Sequence, residues 1–350
     1  MKRTTKVKKL SSSKKDYLDK PTKKDKPYEG NTEKMISTGS TLLDLIISGT
    51  RVRGGGLPGG ILVEIFGPSG TGKTVLLCEI GGAIQRQNGD VRYGDPEARL
   101  NHAFARMFDI DIDKMTITEP DTVTELFQSF EQWEPQGKGK VHGIMVDSLA
   151  ALSTDMEMEK KEGDKMGMRR AKEFSEGLRK FARVLKQKNY LMVCSNQVRI
   201  NVDAGPYGQK YSTPGGEAIG FYASVRLRVS LKEKIKKEKK VKGKTVKKII
   251  GIVTNVEVYK NSVDAPYRTA EIYILFDYGI DDIRANLQFL KDFSSKTVYH
   301  LNGRELGKSM DGAIDIIEEE ELEEELKDAV IDLWEEIQNS FETSRKKKKR

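Results

Sequence analysis

The chain has almost no cysteine. Cys78 and Cys194 are the only two in 350 residues, and each sits in an apolar run, VLLCEI and LMVCSN. Two such distant thiols suggest neither a disulfide framework nor a zinc site. Buried, reduced side chains are the expected state. Long apolar runs are missing as well: none approaches the roughly 20 residues needed to cross a bilayer. The lysine-rich N-terminus has no apolar core behind it, so it does not read as a secretory signal. No internal repeat is visible. A chain of this kind is expected in the cytoplasm, with no membrane partner.

What is abundant is charge. Charged residues make up 33% of the chain and hydrophobic residues 37%, which still allows a core. The formal net charge is +8. A basic balance favours polyanionic partners, nucleic acid first. Residues 1–34 are mostly Lys, Ser, Thr, Asp and Pro without periodicity, and are expected to be a flexible basic arm. Whether that arm attracts nucleic acid or is only solvated stays open.

Order is expected from Met35. STGSTLLDLII (Ser37 to Ile47) reads as a capped amphipathic helix, RVRGGGLPGG as a glycine-rich turn, and ILVEIFG (Ile61 to Gly67) as a short buried strand. A helix is expected from Lys73 to about Gln87. DVRYGD, KMTITEP, HGIMVDS and NYLMVCSNQ read as further strands with helical stretches between them. Strands alternating with helices imply an α/β core around a parallel sheet. From Ala223 the pattern changes. ASVRLRVS and IIGIVTNVEVYKN flank the very basic stretch Leu231 to Lys248, which suggests a long hairpin. Whether its lysines are more than solvated surface charge stays open. A small C-terminal unit is expected over 283–340, with Leu322, Leu326, Val330, Leu333 and Trp334 available for one helix face, and a basic tail over 341–350.

The most specific local signal is GPSGTGKT: Gly67, Pro68, Ser69, Gly70, Thr71, Gly72, Lys73 and Thr74. It matches G-x-x-x-x-G-K-[ST], with a buried strand before it and a helix after it. The glycines let the backbone turn its N–H groups toward phosphate oxygens, and the helix N-terminus favours negative charge. Lys73 then reaches the β- and γ-phosphates, and the Thr74 hydroxyl ligates Mg2+. Asp147, at the end of HGIMVD, is the carboxylate expected to support that ion. Glu97, in GDPEARLN after another strand, is the expected base for water. The cofactors expected are therefore ATP and Mg2+.

In order and spacing, ISTGS, GGLPGG, the P-loop, DPEARLN, MVDSLAAL, MGMRRAKEFSEGLRK, SNQVR, TPGGEAIGFYASVRL and YKNSVDAP resemble the bacterial RecA recombinases, over roughly nine-tenths of the chain. The resemblance implies an α/β fold: a RecA-like P-loop NTPase core over 35–282, with a mostly parallel central sheet, a β-hairpin extension and a small α+β C-terminal module. It implies an ATP-dependent recombinase that forms a helical filament on single-stranded DNA, pairs it with homologous duplex DNA, exchanges strands, and works at the nucleoid. Glu97 matches the catalytic carboxylate and Phe104 the aromatic beside adenine. Gln197 matches the sensor that couples the γ-phosphate to DNA. Glu159 to Arg170 matches the first DNA loop and Val198 to Pro214 the second. Lys172, Ser175, Arg179, Gly215 and Gly216 match positions that contact DNA.

The chemistry of those stretches agrees with that implication. Arg169, Arg170, Lys172, Arg179, Arg199 and Lys210 are cations that suit phosphates, a contact indifferent to sequence. Tyr207 and Tyr211 read either as base-stacking side chains or as packed surface anchors. The chain also departs from the family. A short basic arm stands where the family has a docking helix and strand. Of two lysines that reach across the subunit interface, Lys260 matches the first, while Ser262 replaces the second. Arg268 is the nearby cation available to compensate. A hexameric helicase, a partner-regulated ATPase and a nonenzymatic single-strand binder are the rival readings.

Overall fold

The computed structural model describes residues 30–101, 105–108, 110–154, 166–200, 211–212, 217–341 and 345, with the backbone alone at 166–170, 199–200, 211–212 and 217. Asn31–Ile36 (β1) pairs antiparallel with Leu57–Gly59 (β2). Strand structure thus starts ahead of Met35. Asn31 to Lys34, grouped with the basic arm by composition, belong to β1, where an exposed edge tolerates their polar side chains. Residues 1–29 of the arm lie outside the described residues. Thr41–Ser48 (α1) is capped by Ser40, whose hydroxyl accepts from the Leu43 N–H at 3.4 Å. The expected amphipathic helix from Ser37 needs correcting in two respects. The helix starts later, and all eight of its residues are buried.

Leu62–Gly67 (β3) is buried throughout and leads through the P-loop into Lys73–Arg86 (α2). Val91–Gly94 (β4), Met115–Thr118 (β5), Val123–Glu131 (α3), His142–Val146 (β6), Met166–Lys188 (α4) and Tyr190–Gln197 (β7) follow. Arg199–Ile200 (β8) and Tyr211–Ser212 (β9) pair with each other, and Glu217–Tyr222 (α5) comes next. Val225–Val241 (β10), Lys244–Asn261 (β11), Thr269–Leu275 (β12) and Gly279–Ile280 (β13) complete the large sheet. Its order is β13-β12-β11-β10-β3-β7-β6-β4-β5. From β10 to β5 neighbours run parallel, and from β10 to β13 antiparallel. This is the expected α/β architecture with a mostly parallel sheet.

Side chains on the central strands alternate between two cores. Val63, Ile65, Leu191 and Val193 join the cluster that holds α1 and α2. Leu62, Met192 and Cys194 join Phe127, Phe174 and Phe181 of α3 and α4. Both faces are covered, which is why these strands read as continuous apolar runs. Each fully buried aliphatic side chain contributes about 1.5–3 kcal/mol. Cys78 and Cys194 are buried and free, as expected. Burial pushes the Cys78 thiol up to about 12, so it stays protonated.

β10 and β11 form the long basic hairpin. Lys242 (φ 49°) and Gly243 (φ 78°) make its turn, and two successive positive φ values suit the twist of a two-residue hairpin loop. Between Leu231 and Lys248 lie ten lysines against two glutamates. Lys232 pairs with Glu271, Lys237 with Asp311 and Lys247 with Glu238.

Asp282–Asp292 (α6), Tyr299–Leu301 (β14), Arg304–Gly307 (β15), Met310–Glu319 (α7) and Glu323–Ser340 (α8) form the C-terminal part. Leu287, Tyr299, Leu301, Leu306, Ala313, Ile317 and Leu326 build a small core there. α8 serves two cores: Leu326 lies in this one, while Val330, Ile331 and Trp334 lie in the main core. Ile331 is therefore buried, and Leu333, expected on that face, is only half-buried. Among the described residues no helix is long and apolar enough to cross a membrane.

Asp44, at the start of α1, is a buried carboxylate. Ser37 Oγ (2.6 Å), Thr38 N (2.8 Å) and Thr38 Oγ1 (2.7 Å) donate to it. Burial outweighs these donors, and Asp282 nearby adds repulsion. Together they raise the Asp44 pKa from 3.8 to about 7. A raised folded-state pKa lends stability that is full below the unfolded value and is lost as pH rises through about 7. The effect is on the order of 4 kcal/mol. Asp44→Asn keeps the acceptors for Thr38 and donates to Ser37. The expected outcome is a wild-type Tm that falls from pH 5 to 8 more steeply than that of Asp44→Asn. Parallel curves in a thermal-unfolding pH series would remove Asp44 as the titrating group.

Candidate functional site

The sheet places its functional side chains at the C-terminal ends of β3, β4, β6 and β7, around a cleft of ≈ 480 Å³. Gly67 ends β3, and Pro68 to Gly72 turn toward α2. Gly70 (φ 73°) and Gly72 (φ 86°) take left-handed backbone. A Cβ at Gly72 would also lie 2.3 Å from Ile274 Cδ1, so a side chain there meets both backbone strain and the Ile274 tip. The α2 N-terminus has no side-chain cap, which leaves its N–H groups to a ligand. Thr71 Oγ1 donates to the Pro68 carbonyl at 2.8 Å and steadies the loop.

Lys73 Nζ donates to the carbonyls of Gly67 (3.0 Å) and Pro68 (2.7 Å). Burial holds its pKa below the usual lysine range, while the charges of Asp147 and Glu97 oppose that shift. An ammonium that burial has partly stripped of solvent suits an incoming phosphate. Thr74 Oγ1 donates to Asp147 Oδ2 at 2.6 Å, and Ser195 Oγ donates to Asp147 Oδ1. Tyr93 stands 3.5 Å from the same carboxylate. Burial, with the Asp147 charge next, raises the Tyr93 pKa well above its ordinary value, so the phenol remains a donor. Glu97 Oε1 accepts from Ser148 Oγ at 2.9 Å, and Glu97 Oε2 pairs with Arg99 at 2.8 Å.

Among the described residues no group of three or more His, Cys, Asp or Glu could hold a metal by itself. A cation that takes one or two protein oxygens and completes its shell with phosphates and water fits Thr74 and Asp147, which is how Mg2+ usually binds. The donor set therefore fits a Mg2+–nucleotide complex.

Of the expected site residues, the fold brings Ser69, Gly70, Gly72, Lys73, Thr74, Glu97, Asp147 and Gln197 to one cleft. Lys260 is not among its lining residues. Its Nζ donates to the carbonyls of Gly220 and Phe221, at 2.9 Å each. Arg268 is engaged within the chain: it pairs with Asp264 at 3.0 Å and lies 5.4 Å from the Trp334 ring. Both contacts lie within the chain, on the same side chain that was expected to compensate for Ser262.

Lys172, Ser175 and Arg179 lie on α4, away from the buried Phe174 and Leu178. Lys172 stands 3.9 Å from Glu176. Arg169 and Arg170, expected in a loop, belong to α4, because that helix already begins at Met166. Arg199 and Tyr211 fall in the β8–β9 pair at the base of the expected second loop. Phe104, Tyr207, Lys210, Gly215 and Gly216 lie outside the described residues.

Sequence reasoning missed Tyr93 and Ser195 as partners of Asp147. A hydroxyl near the end of a strand next to the Asp147 strand was the available signal. It also missed the apolar wall of Ile252, Ile274, Leu275 and Phe276, which comes from the distant β11–β12 region.

The RecA N-terminal domain family matches residues 23–281. The chain belongs to the RecA family. A curated relative, Protein RecA of Delftia acidovorans (strain DSM 14801 / SPH-1), is 32% identical over 307 residues, covering 85% of this chain and 79% of the relative. Membership in the RecA family carries a recombinase role in DNA recombination and repair, with binding of ATP and DNA.

Proposed function

We propose that this chain hydrolyses ATP in the cleft and couples that hydrolysis to a filament on single-stranded DNA that pairs with homologous duplex and exchanges strands. One observation carries the reading. Gln197 lines the cleft that holds Lys73, Asp147 and Glu97, and it is also the last residue of β7, directly before the stretch matched to the second DNA loop. The nucleotide contact and the DNA contact proposed here would share that strand end.

The P-loop N–H groups and Lys73 hold the β- and γ-phosphates of ATP. Mg2+ supplies positive charge to those phosphates when bound, and Thr74 with Asp147 would hold it. Glu97 orients a water and accepts its proton at a carboxylate oxygen, while Ser148 and Arg99 fix that carboxylate. Gln197 meets the γ-phosphate and passes its presence to the loop after β7. Arg169, Arg170, Lys172, Ser175, Arg179, Arg199, Lys210, Gly215 and Gly216 are the positions assigned by family resemblance to the DNA backbone, with Tyr207 and Tyr211 assigned to bases. Base pairing alone reads sequence. Lys260 is the residue offered to a neighbouring subunit's nucleotide. ATP and DNA each favour the same filament state, so each raises affinity for the other.

The test is ATP turnover with and without single-stranded DNA, in wild type and Gln197→Ala. Stimulation in the wild type that collapses toward the basal rate in Gln197→Ala supports the reading. Turnover indifferent to DNA in the wild type favours a partner-regulated ATPase. Full stimulation of Gln197→Ala removes the sensor role alone.

A further inference from the structure

A row of polar side chains crosses four neighbouring strands, β7, β3, β10 and β11: Asn196, Glu64, Arg226 and Lys260. At its cleft end the Gln197 N–H donates to Asn196 Oδ1 at 3.0 Å. Asn196 Nδ2 donates to Glu64 Oε1 at 3.0 Å. Arg226 Nε donates to Glu64 Oε2 at 2.6 Å. The Glu64 side chain is fully buried and that of Arg226 is 17% exposed. The parallel and antiparallel registers align the far end: Arg226 stands opposite Glu64 on one side and Lys260 on the other.

The surroundings hold this row in place. The Arg226 guanidinium lies 4.6 Å from the Phe66 ring centre and 5.5 Å from that of Tyr259. A Cβ at Gly220 would lie 2.9 Å from Arg226 Nη1, so a side chain there would displace the guanidinium. The Gly220 carbonyl is one of the two that hold Lys260. The positions of Arg226 and Lys260 are thus linked through the end of α5.

We propose that Glu64 is a positioning residue that couples Gln197 to Lys260, and so links a subunit's own nucleotide cleft to the face it offers its neighbour. The proposal rests on the recombinase reading above. Apolar residues at these positions would satisfy the core more simply, because a buried ion pair adds little net stability. Breaking one partner is strongly unfavourable, since it strands a buried charge. The row therefore shifts as a unit when Gln197 moves, and Glu64 has one oxygen committed to each half.

The experiment measures ATP turnover with and without single-stranded DNA, along with thermal unfolding, for wild type, Glu64→Gln and the double variant Glu64→Gln/Arg226→Gln. The double variant leaves no uncompensated charge and covers the case in which the single variant does not fold. The expected result is a stimulation ratio lowered about tenfold in whichever variant folds, within the usual 5–150-fold range of coupling between sites, while KM for ATP without DNA changes less than about twofold. A merely structural role would lower Tm and scale both rates together. An unchanged ratio beside normal wild-type stimulation therefore overturns the coupling alone. A wild type indifferent to DNA overturns the recombinase reading and this proposal with it.

Discussion

Glu97→Gln is expected to lower kcat for ATP by about 10²–10⁴-fold, the usual contribution of a positioned general base, with ATP affinity changed less than about threefold. The geometry separates these two effects. Glu97 lies outside the P-loop, across the cleft lining from Lys73 and Thr74. Its own contacts are Ser148 Oγ at 2.9 Å and Arg99 at 2.8 Å. Glutamine has the same size and still accepts from Ser148, so the pocket keeps its shape. It cannot take a proton from water at neutral pH. The lost ion pair matters little for stability, because the Arg99 side chain is 79% exposed and such pairs contribute about 0–1 kcal/mol. Steady-state turnover gives kcat, and equilibrium binding of a nonhydrolysable ATP analogue gives affinity. A kcat within fivefold of wild type would take the base role from Glu97. Lost affinity with an intact kcat would recast it as a binding residue.

How far sequence carried the reading differs between the backbone and the site. β3 and β7 were legible because both faces of the sheet are covered, so each strand is apolar without interruption. The P-loop was legible because its chemistry is local: eight consecutive residues hold both the turn and the helix start. Asp147 and Glu97 followed from strand ends. The neighbours of Asp147 were harder to read, because Ser195 and Tyr93 reach it from other strands and only a hydroxyl near an adjacent strand end hinted at them. The apolar wall of Ile252, Ile274 and Phe276 was hidden for the same reason, being brought to the P-loop only by sheet order. Periodicity misjudged α8, assigning Leu333 to the buried face instead of Ile331. A single helical stripe cannot foresee a helix that divides its side chains between two cores. Asp44 lies in the stretch read as an amphipathic helix, and nothing in that pattern marked it as buried. Its carboxylate is held by Ser37 and Thr38, which precede the helix, and Asp282 of α6 accepts from Thr41 in the same first turn.

Lys73→Ala is expected to lower kcat/KM for ATP by about 10²–10³-fold, the effect of removing one preorganised charge from a developing anion. It should do so without destabilising the ligand-free protein. The second half follows from the local electrostatics. Burial depresses the Lys73 pKa, which means the folded protein holds this ammonium at some energetic disadvantage. Its partners without ligand are the Gly67 and Pro68 carbonyls. A group whose folded pKa is depressed in this way disfavours the charged fold, so alanine removes a burden along with two hydrogen bonds. Nucleotide reverses the balance by supplying the missing negative charge. At a ligand concentration of 100 Kd the wild type gains about 2.7 kcal/mol of stability. Thermal unfolding with and without Mg2+–ATP reads both effects at once. The wild type should shift upward on adding nucleotide, while Lys73→Ala should start at or above the ligand-free wild type and shift little. A variant that begins well below the wild type would show Lys73 to be a structural tie of the loop. A variant that still gains the full ligand shift would place the phosphates away from α2, and the assignment of the cleft would have to change with them.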